Sequence, residues 1–362
     1  MIPLVKPYIA DKEKMMPAIE KILYSGYIAE SEPVYEFERK FGEYIKNPNV
    51  LMLGSGTAAL HISLLLLNIG LGDEVISTAM TSEPTNTTIA LTGAKIVWAD
   101  VDEKTGLLDP QSVRKKITSK TKAIMLVHYA GMVCDMDEFN KISQEYNIPI
   151  IEDAAHALGS KYFNKMIGGN SRFTCFSFQA IKHMTTVDGG AIAFKNIEDM
   201  DEARKLRWFG LDKRVSRLQN DIKRAGYKYG MNNVNATIGN IQIQDIPSII
   251  GRHICNGKYY DEALKNVNGI KIIPYYQNTE PSYWLYTMKV EKRDDFIKMM
   301  TEHGITASPL HHRSDTHSVF NQSKCDLPNL DKFYSEYIHI PCGWWVTDSD
   351  REKIVNLIKR GW

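Results

Sequence analysis

Short apolar runs alternate with stretches of helical periodicity between residue 50 and about residue 195. Short apolar runs bounded by turn residues are typical of buried strands, and apolar residues spaced three or four apart are typical of helices. The predicted strands are 50–53, 74–78, 95–99, 122–128, 148–152, 173–178 and 190–194, and the predicted helices between them are 57–69, 85–91 and 136–146. Because strands alternate with helices, we expect an α/β fold with a mostly parallel central sheet covered by helices on both faces.

The pattern changes in the C-terminal part of the chain. Residues 235–250 and 252–264 predict two consecutive helices, and a predicted strand at 283–290 is followed by helices at 294–303 and 348–359. Residues 211–230 are rich in Arg, Lys and Asp and predict a surface segment. We therefore expect a large domain of residues 1–248 and a smaller α+β domain of residues 249–362.

Composition and charge exclude several classes of protein. Hydrophobic residues make up 43% and charged residues 24% of the 362 residues, as in soluble globular proteins, and the net charge of +1 gives no basic excess for nucleic acid. The first residues do not resemble a signal peptide, and the most apolar stretch, 62–67 within 58–71, is too short to span a bilayer. The five cysteines lie far apart and are odd in number, so we expect no metal site, no full disulfide framework and a cytoplasmic location.

A glycine turn, Gly54-Ser55-Gly56-Thr57, joins the predicted strand 50–53 to a helix. Glycine lets a ligand approach the backbone, and the free N–H groups at a helix start favour an anion. The hydroxyls of Ser55 and Thr57 add donors. Taken alone, the turn also fits an ordinary strand-to-helix connection.

Carboxylates follow the predicted strand 148–152. Asp153 leads into Ala154, Ala155 and His156 at the end of the strand, where ligands of α/β sheets bind. A carboxylate in this place can keep the ring nitrogen of a ligand protonated. A solvated loop acid and a satisfied structural histidine are the alternatives for Asp153 and His156 taken singly.

Lys182 follows the predicted strand 173–178 and precedes a Thr- and Gly-rich turn. A lysine in a desolvated site has a lowered pKa, which frees its amine for Schiff-base chemistry. Ser177 precedes it by five positions and can reach a phosphate. The alternative for a single lysine is a surface position.

These segments, in this order, resemble those of the DegT/StrS-type sugar aminotransferases, which are fold type I enzymes dependent on pyridoxal 5′-phosphate (PLP). The resemblance covers nearly the whole chain, including an N-terminal arm, and its most specific parts are the segments around Asp153 and Lys182. It implies that Lys182 carries PLP as a Schiff base and moves a proton, and that Asp153 pairs with the pyridine nitrogen. It further implies that Ser55, Gly56, Thr57 and Ser177 hold the phosphate and that His156 lies near the ring or its 3′-oxygen.

The chain departs from the family pattern at three positions. Lys228 stands where the family has an Asn that reaches the phosphate from the partner subunit, so Lys228 is the expected cation there. Ser82 stands where the family often has an aromatic residue stacked on the cofactor, and Gly230 replaces a usual Arg. Ser82 therefore becomes a candidate substrate contact.

Further candidate substrate contacts are His311, His312 and Arg313, which fall in a segment that contacts substrate in the family. A metal site is not predicted there, because no acid stands in register with the histidines. Trp284 is predicted to be a core or interface residue.

The resemblance implies an aminotransferase that works as a homodimer with shared active sites. The expected amino donor is an amino acid, L-glutamate, and the expected acceptor is a nucleotide-linked keto-deoxysugar used in surface polysaccharide or glycan biosynthesis. Three alternatives stay open: an aminotransferase acting on a small keto-phosphate, a PLP-dependent sugar dehydratase, and a non-catalytic protein on the same fold. Dehydratases of the family carry His where Lys182 stands, which favours transamination, and the intact Lys182, Asp153 and Ser177 argue against a non-catalytic role. Neither nucleic acid nor a membrane is an expected partner.

Overall fold

The computed structural model describes residues 1–362 and contains twelve α-helices and thirteen β-strands. The helices are α1 Lys12–Leu23, α2 Glu32–Ile45, α3 Gly56–Leu66, α4 Glu83–Leu91, α5 Pro110–Lys116, α6 Met136–Tyr146, α7 Ile197–Leu206, α8 Asn233–Gln242, α9 Ile246–Leu264, α10 Arg293–Glu302, α11 Pro328–Glu336 and α12 Asp348–Lys359. The strands are β1 Val50–Leu53, β2 Glu74–Ser77, β3 Lys95–Trp98, β4 Thr121–Val127, β5 Ile150–Asp153, β6 Lys161–Tyr162, β7 Lys165–Met166, β8 Phe173–Ser177, β9 Gly190–Phe194, β10 Ile270–Ile272, β11 Thr279–Glu280, β12 Tyr286–Val290 and β13 Tyr337–Ile340. None of the helices combines the length and the apolar character needed to cross a membrane.

The central sheet has seven strands in the order β1-β9-β8-β5-β4-β2-β3. Strand β9 is antiparallel to both its neighbours, and all other pairs of adjacent strands are parallel. Every residue of β1, β2, β5 and β9 is buried, as expected for strands covered on both faces. The predicted α/β fold with a mostly parallel, helix-covered sheet is therefore confirmed.

Two smaller antiparallel sheets complete the molecule. One has the order β10-β12-β13 and packs on its own hydrophobic cluster with residues of α9, α10 and α12. The other joins β11 to the hairpin of β6 and β7. The division of the chain at 248/249 falls in the first turn of α9 and stays a prediction.

The predicted helix boundary near residue 251 is wrong. Helix α8 ends at Gln242, and α9 begins at Ile246 and continues through Gly251. Pro247 in the first turn fits this start, because proline lacks the N–H that a helix interior needs and is best tolerated where a helix begins. The predicted strand 283–290 begins only at Tyr286, and Tyr283 has a positive φ of 49° that no strand allows.

Candidate active site

A cleft of about 330 Å³ lies at the carboxyl ends of β5 and β8 and at the start of α3. The register pairs Asp153 of β5 with Cys175 of β8, which brings the chain ends after both strands to one edge of the sheet. The predicted site residues that line the cleft are Ser55, Gly56, Thr57, Ser82, Asp153, Ser177, Lys182 and His311. A larger groove of about 410 Å³ lies near the amino ends of β5 and β8, but none of the candidate residues lines it.

The glycine turn brings the start of α3 against the end of β8. Ser55 caps the helix by accepting a hydrogen bond from the Ala58 N–H at 3.1 Å. A Cβ added at Gly56 would lie 2.9 Å from the Ser177 Cβ, so only glycine allows this approach. The first N–H groups of α3 and the Ser177 hydroxyl therefore converge on one end of the cleft, where an anion is favoured.

Asp153 is buried at the end of β5. Its Oδ2 accepts a hydrogen bond from the Thr85 hydroxyl at 2.7 Å, and its Oδ1 accepts one from the Ala155 N–H at 3.0 Å. Burial raises the pKa of this carboxyl, and the Thr85 hydrogen bond opposes the rise. A cation placed beside Asp153 would favour the charged form further, which suits a carboxylate that holds a ring nitrogen protonated.

Lys182 lies in the irregular segment between β8 and β9, and its ammonium group points into the cleft. The side chain as a whole is partly exposed, but Nζ lies 4.3 Å from the centroid of the Trp284 ring. Burial lowers the pKa of Lys182 from 10.5 to about 8, although the Asp153 carboxylate opposes this change. A fraction of the amine is therefore neutral near neutral pH, as a nucleophile or general base must be.

Two imidazoles stand beside the lysine. His156 is buried and stacks on Trp284 with a centroid distance of 3.9 Å, and His311 lies nearly parallel to His156 at 5.7 Å. Burial, and then the charge of Lys182, lower the pKa of both histidines, that of His311 to about 4. Neither Nε2 atom has a hydrogen-bond partner in the chain. Buried polar atoms of this kind normally have partners, so His311, which lines the cleft, suits a polar ligand there.

Four of the predicted residues do not line the cleft: His156, which is buried against Trp284, and Lys228, His312 and Arg313. Arg313 forms ion pairs with Asp315 and Asp331, and His312 packs edge-on against His317. Lys228 is exposed, with Nζ 6.0 Å from the Trp208 ring of its own chain.

The sequence reasoning missed two residues of the site, Thr85 and Trp284. Thr85 supports Asp153, yet a threonine in a helix has no sequence signal that points to a distant carboxylate. Trp284 was expected in the core or an interface and is indeed buried, but its ring also faces Lys182 and His156.

The chain resembles known proteins over nearly its whole length. The sequence model of the DegT/DnrJ/EryC1/StrS aminotransferase family matches residues 9–359. The chain is similar to the sugar aminotransferase CalS13 from Micromonospora echinospora, with a TM-score of 0.96 and 32% identity over 100% of both chains. It is also similar to AtS13 from Actinomadura melliaura, with a TM-score of 0.97 and 34% identity over 100% of this chain and 99% of the other. The PLP form of a putative sugar aminotransferase from Streptococcus pneumoniae has a TM-score of 0.89 and 28% identity over 99% of this chain and 98% of its own.

Proposed function

The chain belongs to the DegT/DnrJ/EryC1/StrS aminotransferase family, and its structural neighbours include PLP-dependent sugar aminotransferases of fold type I; from this premise we propose its reaction. The amino group of L-glutamate is transferred to the keto group of a nucleotide-linked keto-deoxysugar. The product serves surface polysaccharide or glycan biosynthesis, and the protein acts in the cytoplasm.

The residues of the cleft fit PLP. The start of α3 and Ser177 suit the phosphate, and Ser55, Gly56 and Thr57 would hold it there. Asp153 would pair with the pyridine nitrogen, and the free Nε2 of His156 would lie near the 3′-oxygen. When bound, PLP supplies an electron sink for the bond that breaks at the amino-acid Cα.

The observation that carries the proposal is the desolvated amine of Lys182 in one cleft with buried Asp153. An amine whose pKa is about 8 can hold the cofactor and take a proton from the Cα of the donor. Asp153 would keep the pyridine nitrogen protonated while this proton moves. The presence of Lys182 also favours transamination over sugar dehydration, for which the family uses His at this position.

Two residues that line the cleft are the candidates for recognising the acceptor. Ser82 and His311 line the cleft, and Ser82 is small where the family often has an aromatic residue stacked on the cofactor. We assign contact with the sugar to these two residues. His312 and Arg313, which lie in the same segment as His311 but outside the cleft, remain candidates for the nucleotide part.

We propose that the protein is a homodimer in which both subunits contribute residues to each active site. Exposed apolar side chains cluster in the segment before Lys228, with Leu218 99% exposed and Ile222 52% exposed. A patch of this kind on a chain of this family supports a partner subunit there. Lys228 of the partner subunit would then reach the phosphate end of the cleft, where the family has Asn.

A spectroscopic panel tests the proposal. The purified protein is expected to absorb as a lysine-bound PLP enzyme, and Lys182→Ala is expected to lose that absorbance, whereas the exposed-site control Lys120→Ala keeps it. L-Glutamate converts the enzyme to its pyridoxamine form, and keto-sugar nucleotides and small keto-phosphates are then added one at a time. Return of the PLP absorbance with a keto-sugar nucleotide supports the proposal. A response to keto-phosphates alone, or no PLP bound to the wild-type protein, refutes it.

A further inference from the structure

Three consecutive residues around the active-site lysine contact one short segment, residues 282–284, which precedes β12. The Trp284 Nε1–H donates a hydrogen bond to the carbonyl of Ile181 at 2.8 Å. Lys182 Nζ lies 4.3 Å from the centroid of the Trp284 ring. His183 Nε2 lies 3.2 Å from the carbonyl oxygen of Ser282. The lysine is thus bound to this segment at its own side chain and at both of its neighbours.

The contacts of Trp284 differ from those of an ordinary core tryptophan. The side chain is 2% exposed, and its only hydrogen-bond donor is used on the residue before Lys182. The same indole stacks on His156 at a centroid distance of 3.9 Å and an interplanar angle of 17°. The polar group of Trp284 therefore contacts the residue before Lys182, and its aromatic surface contacts His156.

The backbone that carries Trp284 is held in a strained conformation. Tyr283 has a φ of 49°, a left-handed value that is costly for a large side chain. Ser282 donates its N–H to the Gly131 carbonyl at 3.2 Å, and a Cβ at Gly131 would lie 2.9 Å from the Trp284 nitrogen. The Ser160 hydroxyl adds a 2.8 Å hydrogen bond to the Ser282 hydroxyl. Such strain persists only where the surrounding contacts fix it, and it is concentrated at functional sites.

We infer that Trp284 is a positioning residue for the reaction, which fixes Lys182 Nζ and the His156 ring beside the cofactor; this inference rests on the proposed function. A lysine side chain has four rotatable bonds and loses much conformational freedom when it is held in one place. The indole face offsets that cost by attracting the ammonium group, and the bond to Ile181 fixes the backbone from which the side chain starts. Trp284 lies beside the lysine and the histidine, so its effect is on the rate of proton transfer rather than on substrate affinity.

The first test reads the geometry without any activity. The lysines of the cofactor-free full chain are methylated with ¹³C-formaldehyde and a reductant, and Lys182→Ala identifies the Lys182 resonance. A methyl group held over an indole face is shifted upfield by the ring current. We expect this upfield shift in the wild-type chain, a partial shift in Trp284→Phe, which keeps a ring, and none in Trp284→Leu. A Lys182 resonance at the position of exposed lysines in the wild-type chain would overturn the inference.

The second test uses the holoenzyme and a matched control. Trp344 also has a lysine over its ring, Lys6 at 5.2 Å, and donates its Nε1–H to the Lys6 carbonyl, but its contacts are with Lys6 and Tyr8 instead of Lys182 and His156. We expect Trp284→Leu to lower kcat about tenfold with the KM for the amino donor unchanged, Trp284→Phe to show a smaller loss, and Trp344→Leu to show none.

Equal kcat values for the Trp284 and Trp344 variants would overturn the inference while leaving the proposed function intact. A wild-type protein without transaminase activity would refute the proposed function, and the ring-current result would still report on the contact. If Trp284→Leu does not fold, the comparison of Trp284→Phe with wild type decides, because an unchanged kcat in that variant contradicts the inference.

Discussion

Replacement of Lys182 by methionine is expected to stabilise the cofactor-free chain near neutral pH. Below pH 8 the folded protein must keep an ammonium group in a desolvated cleft, whereas the unfolded chain exposes it to water. Burial lowers the pKa of Lys182 from 10.5 to about 8. At about 1.36 kcal/mol for each pKa unit, this difference corresponds to a cost of about 3 kcal/mol in the free energy of unfolding. Methionine has a similar length, carries no charge and packs well against an aromatic ring such as Trp284.

The difference in stability between wild type and Lys182→Met is expected to depend on pH. Between pH 8 and pH 10.5 the unfolded wild-type chain binds more protons at Lys182 than the folded chain does. Wild-type stability therefore rises with pH in this window, because the folded amine is already neutral and its desolvation cost disappears. The methionine variant has no such group. Its advantage of about 3 kcal/mol is expected to be complete below pH 8, to shrink as the pH rises and to vanish above pH 10.5.

Thermal and urea unfolding of the two cofactor-free proteins at a series of pH values measures this difference. Lys120→Met, at an exposed lysine, is the control and is expected to change stability by no more than about 0.5 kcal/mol. A Lys182→Met protein that is no more stable than wild type at pH 7 would refute the reasoning, as would a difference that does not change between pH 8 and pH 10.5. Added PLP is expected to raise the unfolding temperature of wild type much more than that of the variant, because in the proposed function Lys182 is the residue that binds it covalently.

Two further substitutions test residues that hold Asp153 and the start of α3 in place. Thr85→Val removes the hydroxyl that donates a hydrogen bond to Asp153. Hydrogen bonds to charged groups contribute roughly 1.5–3 kcal/mol. We therefore expect the half-reaction with L-glutamate to slow about 10- to 100-fold. Thr87→Val on the same helix removes only a local bond to the Glu83 carbonyl, and a loss as large as that of Thr85→Val would count against the argument. Gly190→Ala places a Cβ 2.5 Å from the Gly56 nitrogen and should weaken PLP binding measured by titration, whereas Gly251→Ala meets nothing within 4 Å and should bind PLP like wild type. Equal PLP affinities for the two alanine variants would show that the start of α3 does not hold the phosphate.

The sequence predicted best the parts of the fold in which one local pattern decides the structure. Strands β1 and β9 and helices α6 and α12 occur where the apolar pattern places them. Helix α6 has Asp135 as a capping residue and α12 has a complete capping box, so the chain itself marks where these helices start. Helices α1 and α2 were not predicted, although α2 packs five buried residues.

The site was predictable as far as its residues fall in ordered motifs. The glycine turn, Asp153 and Lys182 come together because each follows a strand of one sheet, and the ends of these strands share an edge. Trp284 and Thr85 reach the site through packing between segments far apart in the chain, which no local pattern records. The same limit applies to His312 and Arg313, which neighbour His311 in sequence but lie outside the cleft.

The separation between Trp284 and the lysine segment has a consequence for the order in which the protein becomes functional. The hydrogen bond from Trp284 to Ile181 joins residues 103 positions apart. During synthesis, the ribosome completes the glycine turn, Asp153 and Lys182 well before it adds Trp284. Until the later segment docks, Lys182 has no indole beside it and is open to water, so its amine keeps the protonation of an ordinary lysine. If Lys182 holds the cofactor as proposed, cofactor capture is then expected to be a late event in biogenesis, and a nascent chain that stalls before Trp284 is expected to gain little from PLP in the surrounding medium.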